Sequence, residues 1–397
     1  MKILMVSSFL PFPLFSGGHV RLYNLIKELS GKHEITLVCE KRDNQTQKEI
    51  EEIEKICEKV ITVNRKKQWT VKNIAKSVGS PNSFLVTGHT HQEMQGRISK
   101  ELENNKFDII HIETFYVYQN LPSVSIPVVL VEHNIEYLVY QKFADSVSPF
   151  LRPFLKQDVA KIRKEEEASW RRATKLVAVS SDDKKVMENA DIVPEIVANG
   201  VDVDKFRVKL KTKNVKYKKV LFIGDFKWIQ NRDAAKYILE EIWPEIKLKI
   251  KTENTQVKLW IVGRKIPAAI KALTSESDVL LDEESSVRPT EELFQEADVL
   301  LAPIRVGGGT SYKILESMSC GTPVVTTPLS ADAIEATDNE NILVGRTPAE
   351  LAEKTVKILV DEKLYETIVV NGRKLIEEKY KWKKIASDLE NIYNDLK

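Results

Sequence analysis

Residues Pro303 to Val325 read PIRVGGGTSYKILESMSCGTPVV, a glycine turn, a helical pattern and a new strand in succession. Gly307, Gly308 and Gly309 carry no Cβ, so the backbone there can take positive φ and come close to a ligand. Thr310 is placed to cap a helix over Ser311 to Ser319, with Leu315 and Met318 turned inward and Gly321 where a left-handed residue ends helices. Thr322-Pro323-Val324-Val325 restarts as a strand. Free backbone N–H groups and the positive end of the helix dipole favour phosphate at such a junction. Lys313 and Glu316, three residues apart, share one helix face and lean toward the helix N-terminus. That pairs a cation for phosphate with a carboxylate for ribose or sugar hydroxyls. The G-x-x-x-x-G-K-[ST] spacing of a P-loop is absent.

Alternation extends this grammar along the chain. KILMVSS, HEITLVCE, KVITVN, FDIIHIE, PVVLVEH and KLVAVSS are short apolar strands separated by helical patterns such as Val20 to Leu29 and about Leu155 to Arg172. A turn at Ala198-Asn199-Gly200-Val201 and a Lys-rich linker, Arg207 to Lys219, precede a second series: KVLFIGD, VKLWIVG, DVLLDE, DVLLAPI and PVVTTP. Strands of this kind, joined by helices, build parallel sheets of βαβ units. The expected fold is α/β, with two Rossmann-like domains facing across a deep cleft, residues 1–205 and 206–380, and an amphipathic C-terminal helix over 381–397 that packs back toward the N-domain. Ligands of such sheets bind beyond the carboxyl ends of the strands. Ser16-Gly17-Gly18, between the first strand and first helix, therefore offers a second set of backbone amides.

Composition narrows the function classes. A chain of 397 residues suggests two or three domains, and 60 Lys+Arg against 58 Asp+Glu provide no overall field for nucleic acid. Cys39, Cys57 and Cys320 form no C-x-x-C pair, which fits reduced thiols in a cytoplasmic protein and argues against zinc. No apolar stretch approaches the ~18 residues of a membrane span. The apolar start MKILMVSSFLPFPLF has one Lys and two prolines and leads directly into a helix, unlike a secretory signal.

At this point several separate stretches, in order, resemble the retaining nucleotide-sugar glycosyltransferases of the GT-B fold, the group 1 family. They are PFPLFSGGHVRLYNLIKELS, EHNIE from Glu132, VAVSSDD from Val177, ANGVDVDKF from Ala198, FIGDFKWIQNRDA from Phe222, LWIVGR from Leu259, the glycine segment, and W-x-x-I at Trp382. The resemblance implies that Glu316 binds the ribose of the donor, that Lys313 stands near the diphosphate, and that Gly307 to Thr310 cradle it. It further implies that His133 approaches the donor sugar and that Gly17 and Gly18 lie near phosphate or acceptor. Two stretches depart from the family pattern. A second glutamate, eight residues before Glu316, is here Gly308, and the Arg and Lys after the first C-domain strand are replaced by Gly224-Asp225-Phe226-Lys227-Trp228, with Lys227 or Arg264 as the substitute.

The implied activity is transfer of a hexosyl unit from a UDP- or GDP-linked sugar to a glycan or lipid-linked acceptor, in surface polysaccharide or glycolipid synthesis. No cofactor or obligatory metal is implied, and no side-chain nucleophile is assigned. Asp202-Val203-Asp204 matches a metal-binding D-x-D only formally, and His89-Thr90-His91 reads as a loop. His111 reads as structural. A nucleotide-sugar 2-epimerase shares the architecture but matches the quoted stretches less well; a GT-B protein that binds without turnover is suggested by Gly308. Two apolar-basic stretches, Arg65 to Ile74 and Phe150 to Lys156, could touch a membrane at its inner face.

Overall fold

The computed structural model describes residues 1–66, 80–208, 216–253, 255–274, 277–306 and 310–397. They divide into two compact units, Met1–Ala198 with Ile385–Lys397, and Asn199–Lys384. Each is built on one parallel sheet.

In the first unit, β1 (Lys2–Ser7), β2 (Glu34–Lys41), β3 (Lys59–Asn64), β4 (Ile109–Glu113), β5 (Val128–Glu132), β6 (Lys175–Ala178) and β7 (Glu195–Ile196) lie in the order β3-β2-β1-β4-β5-β6-β7. Ile3, Leu4, Ile110, Ile112 and Leu130 are fully buried, because helices cover both faces of the sheet. The winding reverses between β1 and β4, so the loops leaving those strands diverge and open a crevice at their carboxyl ends. Helix α1 (Gly17–Leu29) follows β1 and buries Leu22, Leu25, Ile26 and Leu29. After β5 comes a hairpin of α2 (Glu136–Ser146) and α3 (Arg152–Arg172). The 21 residues of α3 span about 31 Å, whereas the five residues of β5 span about 17 Å.

The second unit orders β8 (Lys218–Asp225), β9 (Val257–Arg264), β10 (Val279–Asp282), β11 (Val299–Ala302), β12 (Val324–Thr326) and β13 (Leu343–Val344) as β10-β9-β8-β11-β12-β13. Its reversal lies between β8 and β11. Helix α4 (Ile229–Tyr237) follows β8, and α5 (Tyr312–Ser319) follows the loop after β11. Gly321 takes φ 71° after α5, as its place beyond a helix end requires. The last helix, α6 (Trp382–Asp395), returns its final turns to the first unit, where Tyr393 is fully buried.

Three local expectations need correction. Ser311, not Thr310, holds the N-cap position of α5, and no side chain caps that helix. The expected linker ends earlier than Lys219, since β8 begins at Lys218. His89 closes a short helix, Phe84–His89, and His91 precedes the next, so the pair is not a loose loop. Both rings stand against the buried Glu40 carboxylate, at 3.0 and 2.9 Å. Burial alone would raise the Glu40 pKa, but the two histidines outweigh it and hold it at about 2.

Candidate functional site

Chemistry in the second unit gathers where β8 and β11 part. Gly224 and Gly263 pair across β8 and β9, and a Cβ on Gly263 would lie 2.2 Å from the Gly224 carbonyl oxygen. Only bare backbone fits there. The absence of a Cβ on Gly224 in turn admits the Asn231 side chain, which a Cβ would meet at 2.6 Å. Asn231 Nδ2 donates to the Asp225 carbonyl at 2.9 Å, which fixes the amide and turns Oδ1 toward α5. Lys313 Nζ donates to that Oδ1 at 2.7 Å and lies 4.8 Å from the centre of the Phe222 ring. The helices after β8 and β11 are thus linked at their starts. A second link, Arg305 to Asp233 at 2.9 and 3.1 Å, ties the loop after β11 to the same helix.

Lys313 and Glu316 are half-buried on one face of α5. Desolvation lowers the Lys313 pKa to about 7 against the opposing pull of Glu316, and raises Glu316 to about 8, with Lys205 opposing and Glu291 adding to the rise. Each group is held away from its usual ionisation by its surroundings, and an arriving anion would restore the lysine charge. Thr310, buried just before α5, has a hydroxyl without a hydrogen-bond partner among the described residues. Gly307, Gly308 and Gly309 lie outside the described residues.

Lys227 and Arg264 end up beside each other's strands, since Asp225 pairs with Arg264 in the β8–β9 register. Both are exposed. Lys227 contacts Asp225 at 3.2 Å and lies over the Trp228 ring, while Arg264 reaches the Ser286 carbonyl at 3.5 Å.

In the first unit, Gly17 and Gly18 open α1 and His133 follows β5. The structure brings them together, because a Cβ on Gly18 would stand 3.1 Å from His133 Nδ1. His133 is held from both sides in sequence. Glu132 before it accepts from Trp170 Nε1 at 3.1 Å, and the buried Glu166 accepts from the Glu136 and Tyr137 amides at 2.8 and 2.9 Å, capping α2. His133 Nε2 meets Glu113 Oε2 in a short contact, and Glu113 Oε1 meets His111 Nε2 at 2.9 Å. Glu113 is wholly buried, which favours the neutral acid, yet His133 and His111 outweigh burial and keep it ionised.

Sequence reading passed over Asn231 and Glu113. Period-two alternation in FDIIHIE does put His111 and Glu113 on one sheet face, and Asn231 lies inside the quoted stretch after β8. Neither has a distinguishing motif of its own. Among the described residues no group of three or more His, Cys, Asp or Glu is arranged to hold a metal, and no helix is long and apolar enough to cross a membrane.

The family model described as "Glycosyltransferase Family 4" matches residues 15–205, and that described as "Glycosyl transferases group 1" matches residues 217–361. An uncharacterized glycosyltransferase of Methanocaldococcus jannaschii is 24% identical over 106 residues, 26% of this chain and 27% of that protein's length. Phosphatidyl-myo-inositol mannosyltransferase of Mycobacterium tuberculosis is 25% identical over 324 residues, 75% of this chain and 76% of that one. Anabaena HepE, solved in complex with UDP-glucose, superposes at a TM-score of 0.65 with 13% identity, covering 100% of both chains. Two successive transferase domains on two successive parallel sheets assign the chain to the group 1 glycosyltransferases of the GT-B fold.

Proposed function

We propose that the protein transfers a hexosyl group, with retention of anomeric configuration, from a UDP- or GDP-linked sugar to a glycan or lipid-linked acceptor. The observation that carries this is the Lys313–Asn231 link at the switch point of the second unit, one turn of helix from Glu316. Departure of a nucleoside diphosphate concentrates negative charge on its phosphate oxygens. Catalysis commonly supplies about 8 to 23 kcal/mol, and a helix terminus contributes roughly 0.3 to 2. Lys313, the backbone amides before α5 and one of Lys227 or Arg264 therefore have to share the load, with the Thr310 hydroxyl, unpartnered among the described residues, donating to a phosphate oxygen. Glu316 accepts from ribose hydroxyls. His133 and the Gly17–Gly18 turn serve the sugar and acceptor. The proposed transfer uses no metal ion.

HepE with UDP-glucose supports a nucleotide-sugar donor, and the mycobacterial relative, by its name, supports a lipid acceptor. A peripheral position at the inner membrane face is consistent with the exposed Phe150 and Phe154 on the α2–α3 hairpin. Lys67 to Ile74 lie outside the described residues.

Thermal shift with a panel of nucleotide sugars tests the donor, since a ligand at a hundred times its Kd adds about 2.7 kcal/mol of stability. Anomeric NMR of the product then tests retention. Stabilisation by a nucleotide sugar without turnover on any acceptor, and without donor hydrolysis, would point to a binding protein; inversion would overturn the stereochemical assignment.

A further inference from the structure

Four side chains of the first unit form a chain that runs from the last helix to the candidate site: Tyr393, His111, Glu113 and His133. Tyr393 Oη lies 2.5 Å from His111 Nδ1, His111 Nε2 lies 2.9 Å from Glu113 Oε1, and Glu113 Oε2 contacts His133 Nε2. Tyr393, His111 and Glu113 are fully buried. Nothing but the last ring, His133, is partly open.

The proton positions follow from the donor inventory. An ionised carboxylate only accepts, so Glu113 takes one N–H from each histidine, and both rings carry a proton on Nε2. His111 Nδ1 is then bare in the neutral ring and accepts from the Tyr393 hydroxyl, 2.5 Å away. In its neutral form, the one read at pH 8, His133 likewise has a bare Nδ1, and that edge faces Gly18, 3.1 Å from where a Cβ would stand. We propose that Glu113 is the positioning residue for His133, fixing the Nε2–H tautomer so that Nδ1 is presented beside Gly18 as a hydrogen-bond acceptor for a substrate hydroxyl, with His111 and Tyr393 holding Glu113 in turn. This rests on the function proposed above for the nature of the hydroxyl, and on the geometry alone for the tautomer.

Histidine side-chain ¹⁵N spectra of the full chain read the tautomer directly, and six histidines make the spectrum assignable with single substitutions. The wild-type protein at pH 8 should show His133 and His111 as Nε2–H; an Nδ1–H ring at His133 overturns the proposal. Glu113→Gln should mix or reverse the His133 tautomer and lower kcat at least tenfold, with the affinity for UDP unchanged. Glu113→Gln combined with His133→Ala should be no slower than His133→Ala alone, since the carboxylate acts only through the ring. Additive losses, or a Glu113→Gln enzyme with unaltered kcat, would assign Glu113 a purely structural role. Tyr393→Phe, which keeps the buried ring, should move the His111 Nδ1 signal and leave the His133 tautomer intact. If the protein turns over no nucleotide sugar, the function proposed above fails while the spectrum still decides the tautomer.

Discussion

Lys313 donates to Asn231 at 2.7 Å across the point where the second sheet reverses, so the cation in the first turn of α5 is aimed by a residue from the neighbouring βα unit. The amide that receives it is itself fixed, through Nδ2, by the carbonyl of Asp225. A flexible lysine on an isolated helix would lose rotamer entropy on meeting a ligand; here much of that ordering is complete beforehand.

Removing the charge should therefore cost more than removing its guide. Lys313→Met is expected to lower kcat/KM about 10²- to 10³-fold, the range for deleting one donor to a developing anion. Asn231→Ala should lower it roughly tenfold, because the lysine survives but loses its orientation. Initial rates on the best donor from the panel measure both, and an Asn231→Ala enzyme slower than Lys313→Met would reverse the assigned order.

Protonation provides an independent test. In the ligand-free protein Lys313 titrates near pH 7, mainly because burial disfavours its charge. A bound diphosphate favours the charged form, so binding at pH 7.5 should take up protons and UDP affinity should weaken as pH rises from 6.5 to 8.5. Calorimetry in buffers of different ionisation enthalpy measures the uptake, which Lys313→Met should remove. Glu316, raised to about 8 by burial, works in the opposite sense if ribose binding ionises it, and Glu316→Gln isolates that contribution. Equal binding heats in all buffers for both the wild type and Glu316→Gln would remove Lys313 from the phosphate site.

Much of this arrangement was legible before the structure. Every long apolar strand reads correctly from its run of Val, Ile and Leu, because buried parallel strands need such residues on both faces. The two-residue strands Glu195–Ile196 and Leu343–Val344 escape notice, since so short a segment has no periodicity. Lys313, Glu316, Gly18 and His133 were visible through glycine turns and family stretches. Asn231 and Glu113 were not, because their roles arise from partners 82 and 20 residues away. Thr310 misled for a related reason: a threonine before a helix reads as a cap, whereas the backbone begins the helix one residue later.

Glycine substitutions separate fold from function. Gly263→Ala places a methyl 2.2 Å from the Gly224 carbonyl, a backbone atom that no rotamer change can move. It should destabilise by about 1 to 3 kcal/mol or more, seen as a lower Tm and a lower urea midpoint. Gly18→Ala instead crowds the His133 ring at 3.1 Å, a side chain that need shift only by a few tenths of an ångström. Its Tm should stay within a degree or two of wild type while kcat falls several-fold. A Gly18→Ala enzyme with normal kcat would mean that the histidine edge facing α1 meets no substrate.

The α2–α3 hairpin makes the last prediction. Phe150 is 81% exposed, Phe154 60% and Leu151 51%, a concentration of apolar surface that a water-facing turn does not need. Arg152 and Lys156 stand among them, but Lys156 is paired with Asp145 at 3.4 Å and Arg152 donates to the Asp145 carbonyl at 3.0 Å. Each basic residue near an anionic surface is worth about 1 kcal/mol, whereas each fully buried phenylalanine is worth about 1.5 to 3. Apolar insertion should dominate, so binding to vesicles of phosphatidylglycerol and phosphatidylcholine should weaken only modestly between low and physiological salt. Phe150→Ser with Phe154→Ser should reduce that binding at least tenfold and leave transfer to a water-soluble acceptor unchanged, because neither residue belongs to the candidate site. Flotation of the wild-type protein free of vesicles at low salt would eliminate the membrane contact, and a steep salt dependence would shift it from the phenylalanines to the basic residues.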